Sequence, residues 1–149
     1  MISKILVPID GSETARKATK YAVEMAKQTG ATVTLLYVIN KSSLVSQSVP
    51  SVATPTHLTE PIEDYLRQVA DACLEDAEKI GAEKGVESIK VIRTGHPVEE
   101  IIKEADKSRT DLIIMGSHGK SALEAAVLGS VTDGVIHTDT KAPVLVVRR

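Results

Sequence analysis

Short apolar runs alternate regularly with amphipathic helical patterns along this chain. Nearly continuous apolar runs are typical of strands buried on both faces of a parallel sheet. Strands that alternate with helices form βαβ units with right-handed crossovers. The sequence therefore predicts a single doubly wound α/β domain over residues 1–149, with helices on both faces of a five-stranded parallel sheet. The predicted strands are Lys4–Ile9, Thr32–Ile39, Ser88–Thr94, Asp111–Gly116 and Pro143–Val147.

Four helical patterns separate these strands. The first covers about Ser12–Thr29 and is followed by Gly30, a residue that commonly ends helices. The third begins at Pro97, and the fourth covers Ser130–His137, with a separate turn expected over Ser121–Leu128. The second ends near residue 85, and its predicted apolar face consists of Ile62, Tyr65, Leu66, Val69, Cys73, Ala77 and Ile80.

One connection is longer than a compact domain of this kind normally needs. The segment Asn40–Glu60 is rich in Ser, Thr and Pro, and a structureless connection of about 20 residues is uncommon inside a compact domain. Two interpretations stay open from the residues alone. The segment is either a flap over the functional site or a tolerated surface insertion.

Composition and charge exclude several classes of function. Lys and Arg number 18 against 20 Asp and Glu, for a net charge of −2, so the chain lacks the basic surplus of a nucleic-acid polymer binder. No apolar run approaches the roughly 18 residues of a membrane span, and Ile5–Ile9 is too short for a signal-peptide core. The single cysteine, Cys73, excludes an internal disulfide and suits a reducing compartment. We expect a cytoplasmic protein that contacts no membrane.

Ligands of open α/β sheets bind beyond the carboxyl ends of the strands, so the residues directly after each strand are the candidates. The first strand is followed by Asp10-Gly11-Ser12-Glu13. Asp10 could cap the next helix, with Glu13 completing a capping box. Alternatively, Asp10 could reach a sugar hydroxyl, helped by the close backbone approach that Gly11 allows.

Two glycine sites follow the fourth strand. The loop Gly116–Ser121 comes directly after it, and Gly129-Ser130-Val131-Thr132 opens the last helix. Glycines placed before helical segments predict phosphate binding by exposed backbone N–H groups and a helix N-terminus. Ser130 and Asp133 also fit a capping box. Both roles can coexist, because a helix N-terminus offers up to four unpaired N–H donors.

Other phosphate-binding motifs do not fit the sequence. Gly119-Lys120-Ser121 resembles the end of a Walker A loop, but Ile114 stands where that loop needs its first glycine. Gly11 stands alone after the first strand, so the dinucleotide fingerprint is absent. A receiver domain would need an aspartate at the end of its third strand, where this chain has Arg93-Thr94-Gly95.

The spacing Gly116-x2-Gly119-x9-Gly129-Ser130 matches the motif G-x2-G-x9-G-[S/T]. The same register extends to the opening Ile5–Ser12, to Leu35–Val38 in the second strand and to the terminal Pro143–Val147. Together these residues make the chain resemble the universal stress protein family, in the class that binds ATP. The resemblance covers the whole chain and implies a Rossmann-like sheet with strand order 3-2-1-4-5, whose switch point lies between the first and fourth strands.

The resemblance also implies a ligand, a metal and a partner. The ligand is ATP, with Mg²⁺ or Mn²⁺ held mainly by phosphate oxygens, and the partner is a second copy paired through the strand Pro143–Val147. The residues implied at the adenine and ribose end are Pro8, Asp10 and Val38. Those implied along the adenosine are Met115, Gly116 and His118. Those implied around the phosphates are Gly119, Gly129, Ser130, Val131 and Thr132.

The residues favour a binding protein over an enzyme. His118 and Lys120 are the candidates in the loop for orienting water or stabilising a transferred phosphoryl group. His96 and His137 have no evident nucleophile or metal partner, and Cys73 is expected to be a buried structural thiol. We expect an ATP-binding regulatory or stress-response module. The alternatives are a slow ATPase or phosphotransferase that uses His118 or Lys120, and a dimeric scaffold with an empty pocket. Because Trp and Phe are absent, adenine should lie among aliphatic side chains.

Overall fold

The computed structural model describes residues 1–40, 56–120 and 127–149, with only the backbone described for residues 56–60. Most of the predicted connection Asn40–Glu60 and most of the predicted turn Ser121–Leu128 therefore lie outside the described residues. No helix in the described ranges is long and apolar enough to cross a membrane.

Strands and helices alternate along the described chain, and all the strands join one parallel sheet in the order β3-β2-β1-β4-β5. This confirms the predicted α/β fold and the strand order 3-2-1-4-5. The elements are β1 Lys4–Ile9, α1 Glu13–Thr29, β2 Thr32–Ile39, α2 Thr56–Ala82, β3 Ser88–Thr94, α3 Pro97–Lys107, β4 Leu112–Gly116, α4 Ser130–His137 and β5 Val144–Val147.

The sheet separates two apolar clusters, one on each face. Ile5 and Val7 point to the cluster that includes α1 and α2, whereas Leu6 points to the cluster formed with α3 and α4. Alternate residues of β1 thus face opposite sides, as the period of a strand requires, and all three are buried. The buried alanine stripe of α1 lets this helix lie close to the sheet.

Helix α2 differs from its prediction in both its start and its buried face. It begins at Thr56, within the segment Asn40–Glu60 that was expected to be a connection, and Pro61 lies inside it. A proline near the start of a helix removes only one bond of a long ladder. The buried residues include Ala70 and Leu74, whereas Tyr65 is 61% exposed. Small residues such as Ala70 let the helix approach the sheet closely. The periodicity of apolar residues takes no account of their size, so it did not predict which face would be buried.

Two strands begin one residue later than predicted. β4 begins after Asp111, whose carboxylate accepts hydrogen bonds of 2.9 Å from the backbone N–H groups of Ser3 and Lys4 and from the Ser3 hydroxyl. These bonds, led by that from the Ser3 backbone, hold the pKa of Asp111 below its usual value. β5 begins after Pro143, which has no N–H to donate, although its carbonyl accepts from Ile113 N at 2.9 Å.

Candidate functional site

A cleft opens at the carboxyl ends of β1 and β4, where the strand order reverses. Its empty volume is about 550 Å³, including the open mouth, which lies within the usual range of ligand pockets of about 300–1,000 Å³. Further residues that sequence reasoning did not assign, among them Leu36, Pro97 and Ile101, form an apolar part of the wall. Nine of the residues implied by the resemblance line the cleft: Pro8, Asp10, Val38, Met115, Gly116, His118, Gly119, Val131 and Thr132.

Asp10 ties the turn after β1 to the loop after β4. One carboxylate oxygen accepts from Ser12 N at 2.9 Å, and the other accepts from Lys120 N at 3.3 Å. The cap of α1 is instead Ser12, whose hydroxyl accepts from Ala15 N at 3.2 Å. The prediction that Asp10 caps this helix is therefore wrong. Gly11, with φ of +80°, turns the chain so that Ser12 reaches the cap position.

The three glycines of the motif permit close packing. A Cβ on Gly116 would lie 2.6 Å from the carbonyl carbon of Thr14 and 2.8 Å from Ala15 N. A Cβ on Gly119 would lie 2.7 Å from an Asp10 carboxylate oxygen, and one on Gly129 would lie 3.2 Å from Gly119 N. The glycines thus let the turn after β1, the loop after β4 and the start of α4 come together.

The carbonyl groups at the end of β4 and just after it accept hydrogen bonds from donors at two helix starts. Gly116 O accepts from the Thr132 hydroxyl at 2.7 Å, and Ser117 O accepts from Gly129 N at 2.7 Å. His118 O accepts from the hydroxyl of Thr14. Sequence reasoning missed Thr14. The signal that could have found it is a hydroxyl residue next to the buried alanine stripe of α1.

Helix α4 begins without a side-chain cap. Gly129 occupies the N-cap position and makes no side-chain cap hydrogen bond, so Ser130 is the first helical residue. The predicted capping box of Ser130 and Asp133 is wrong, because such a box needs its serine at the N-cap. Gly129 and Ser130 do not line the cleft wall themselves. Gly129 instead packs against the loop residues His118 and Gly119.

The two basic candidates of the loop lie in different places. His118 lines the cleft, and its Nδ1 lies 2.7 Å from the Ser117 hydroxyl. Lys120 instead lines a second cavity with residues of α1 and α2. Its Nζ lies 3.3 Å from the point where a Cβ on Gly11 would stand. The Lys120 ammonium group is therefore not among the groups that form the cleft wall.

The remaining titratable candidates lie outside the cleft wall. Cys73 is half-buried rather than fully buried, and it packs against the apolar cluster. Burial is the main cause that raises the pKa of its thiol, so the protonated form is favoured. His96 is the N-cap residue of α3, and His137 Nδ1 lies 2.8 Å from Asp133 O within α4. Within the ranges that the structure describes, no three His, Cys, Asp or Glu side chains group to hold a metal ion.

The chain is similar to known proteins over its whole length. Residues 1–148 match the Universal stress protein family. The chain is 35% identical over 149 residues to the universal stress protein YxiE of Bacillus subtilis, covering 99% of this chain and 100% of that protein. It is 36% identical over 157 residues to the universal stress protein MJ0577 of Methanocaldococcus jannaschii, covering 100% of this chain and 96% of that protein.

Solved structures show the same similarity. The structure of MJ0577 matches with a TM-score of 0.84 and 36% identity, covering 100% of this chain and 97% of that one. A universal stress protein in complex with cAMP matches with a TM-score of 0.68, covering 99% and 97% of the two chains. Its identity to this chain is 23%, so that likeness concerns the fold.

Proposed function

Because the chain belongs to the universal stress protein family, we propose that it is an ATP-binding regulatory module of the stress response rather than an enzyme. One observation carries the proposal: residues from β1, β2, β4 and α4 line a single cleft at the point where the strand order reverses. Such points are where open α/β sheets bind their ligands. The cAMP complex of a universal stress protein has the same fold.

The adenosine would occupy the apolar end of the cleft. Leu36, Val38 and Met115 supply aliphatic walls there, which suits a base that has no Trp or Phe to stack on. Asp10 would accept a hydrogen bond from a ribose hydroxyl. Its two carboxylate oxygens already accept one N–H each, but an ionised carboxylate has about four acceptor sites, so capacity remains.

The phosphates would meet backbone donors instead of a cluster of basic side chains. The start of α4 has no side-chain cap, and an uncapped helix N-terminus favours an anion through its N–H groups and dipole. The Ser130 hydroxyl, exposed at the first helical position, adds a further donor. The Thr132 hydroxyl already donates to Gly116 O, so its backbone N–H is the group that would serve a phosphate.

A divalent cation is compatible with this site, because phosphate oxygens rather than protein side chains would bind it. Backbone N–H groups neutralise a polyphosphate only in part, and Mg²⁺ is commonly bound by substrate phosphates with few protein ligands. We therefore include Mg²⁺ or Mn²⁺ in the proposal, as a cation that phosphate oxygens would hold. When bound, the cation supplies charge neutralisation, and the residues of this chain hold and orient the nucleotide.

Binding without turnover is the simpler function for this geometry. Phosphoryl transfer needs a group that orients the attacking water and a positive charge near the transferred phosphate. The Lys120 ammonium group lies on the side of the second cavity. His118, in contrast, does line the cleft, so slow hydrolysis through His118 is the second candidate function. Phosphate release under single-turnover conditions, lost in His118→Ala, would support it.

The partner and location belong to the same proposal. β5 pairs with β4 and lies at one edge of the sheet, with half-buried side chains along its whole length. We propose that this strand pairs with its twin in a second copy. Pro143 and the exposed Arg148-Arg149 would limit that pairing to a short central stretch. A cytoplasmic location is proposed from the cysteine usage.

Calorimetry with Mg-ATP tests the site. We expect Gly129→Val to abolish binding while the protein stays folded, because its side chain would crowd the loop backbone that should receive the phosphates. Thr138→Val is the matched control, since it places a valine at the exposed far end of the same helix. Normal ATP binding by Gly129→Val would refute the site. No binding by the unaltered protein would refute the function and favour the empty scaffold.

A further inference from the structure

One hydroxyl group in the first turn of α1 holds the loop that follows β4. Thr14 is 5% exposed, and its hydroxyl donates to His118 O. The Thr14 hydroxyl oxygen also accepts a hydrogen bond from His118 N at 3.3 Å. A hydroxyl can donate and accept at once, so one side-chain atom engages both backbone polar groups of His118. The two residues are 104 positions apart in the chain.

This contact fixes the direction of the next N–H group. His118 O and Gly119 N belong to one planar trans peptide, in which the C=O and N–H bonds point in opposite directions. Because the carbonyl is directed at α1, the Gly119 N–H is directed away from α1. Gly129, the N-cap of α4, is a close neighbour of this nitrogen: a Cβ on Gly129 would lie 3.2 Å from it.

The Gly119 N–H is also available for a ligand. It forms no hydrogen bond to any residue in the described ranges, and Gly119 lines the cleft. The next N–H along the chain, that of Lys120, instead donates to Asp10. The two carbonyls before His118 have donors of their own, namely the Thr132 hydroxyl and Gly129 N. Loss of the Thr14 hydroxyl would therefore free mainly one peptide, that between His118 and Gly119.

We propose that Thr14 is a positioning residue for phosphate binding, whose hydroxyl holds this peptide so that the Gly119 N–H faces the anion. The inference rests on the proposed function, since it requires a phosphate in the cleft. Without the hydroxyl, the peptide can rotate and turn its carbonyl oxygen toward the anion, which would repel it. Hydrogen-bond donors that are already oriented before binding hold an anion without the entropic cost of ordering them when the ligand binds.

Three variants and two ligands test the role of Thr14. Thr14→Val keeps the shape and removes the hydroxyl, whereas Thr14→Ser keeps the hydroxyl. Thr19→Val is the matched control, because Thr19 is also buried in α1 but its hydroxyl donates to Ala15 O within the same helix. Calorimetry would measure the dissociation constants of Mg-ATP and of adenosine, which lacks the phosphates.

We expect Thr14→Val to weaken Mg-ATP binding about tenfold, equivalent to about 1.4 kcal/mol, and to leave adenosine binding nearly unchanged. Thr14→Ser and Thr19→Val should bind both ligands like the unaltered protein. Unchanged ATP binding by Thr14→Val overturns the inference, as does an equal loss for ATP and adenosine, which would indicate general loosening. If Thr14→Val does not fold, Thr14→Ala against Thr14→Ser makes the same comparison.

A readout without ligand separates this inference from the proposed function. In the nucleotide-free protein, the NMR amide resonance of Gly119 should shift in Thr14→Val and stay in place in Thr19→Val. If the unaltered protein binds neither ATP nor adenosine, the proposed function fails, and the phosphate role of Thr14 fails with it. If the unaltered protein binds ATP but the Gly119 resonance is the same in Thr14→Val, only the positioning role fails.

Discussion

Replacing Gly119 with alanine should reduce the free energy of unfolding only while Asp10 keeps its carboxylate. The added Cβ would stand 2.7 Å from an Asp10 carboxylate oxygen, well inside the usual contact distance of about 3.5–4.0 Å. The obstacle is the end of a side chain, so truncating that side chain should remove it. Gly119 does not have a left-handed backbone, and alanine fits there without backbone strain.

The magnitude follows from two opposing effects. Overpacking a close contact costs about 1–3 kcal/mol, whereas replacing glycine by alanine at a compatible position gains about 0.4–1 kcal/mol from the unfolded state. Gly119→Ala should therefore lose about 1 kcal/mol net, or about 2–4 °C in Tm for a domain of this size. In an Asp10→Ala background, the same change should become stabilising by about 0.4–1 kcal/mol.

Urea unfolding of the four proteins of this double-mutant cycle measures the coupling free energy between the two positions. Gly116→Ala is the matched control, because its Cβ would meet the backbone of α1, 2.6 Å from the Thr14 carbonyl carbon. Removing the Asp10 carboxylate does not relieve that clash, so its cost should be the same in both backgrounds. An equal cost for Gly119→Ala with and without the Asp10 carboxylate would refute the packing role assigned to this glycine.

Two further predictions concern the far end of the sheet and its edge. Asp111→Ala should destabilise the protein at neutral pH, because the hydrogen bonds from Ser3 lower the pKa of that carboxylate. The carboxylate's contribution to the free energy of unfolding is complete above the ordinary aspartate pKa of 3.8, and it is lost as the pH falls through the lower pKa of Asp111 in the folded protein. The Tm values of the two proteins should therefore converge in acid. Divergence in acid would contradict this. Val146→Lys should shift a dimer toward monomer in analytical ultracentrifugation, since it places a charge in the middle of β5; an unchanged dimer would mean that another surface pairs.

The sheet and the location of the site were predictable because their signals are local. Apolar runs with helical patterns between them specify a parallel sheet, and parallel strands end at one edge. Residues at the carboxyl ends of β1 and β4, such as Asp10 and Gly116, therefore had to lie at the same edge of the sheet. The cleft lies at that edge.

The incorrect predictions concern helix starts, where a shift of one residue changes which residue occupies the N-cap. Asp10 and Ser12 are both good capping residues, and only the turn made by Gly11, with φ of +80°, places Ser12 at the cap. In the same way, α4 starts one residue earlier than its capping pattern suggested, because Gly129 rather than Ser130 occupies the N-cap. Helix α2 begins at Thr56, within the Ser-, Thr- and Pro-rich segment that composition alone assigned to a connection, and Pro61 lies inside the helix.

Periodicity and glycine spacing act over short stretches of chain, so they predict the order of the elements, the parallel sheet and the edge where the polar residues gather. What each of these residues contacts depends instead on elements that are distant in the chain. Thr14 binds His118 across 104 positions, and Gly116 has to be a glycine because α1 presses its first turn against the end of β4. Such contacts depend on how closely two elements pack, which no local pattern in the chain encodes.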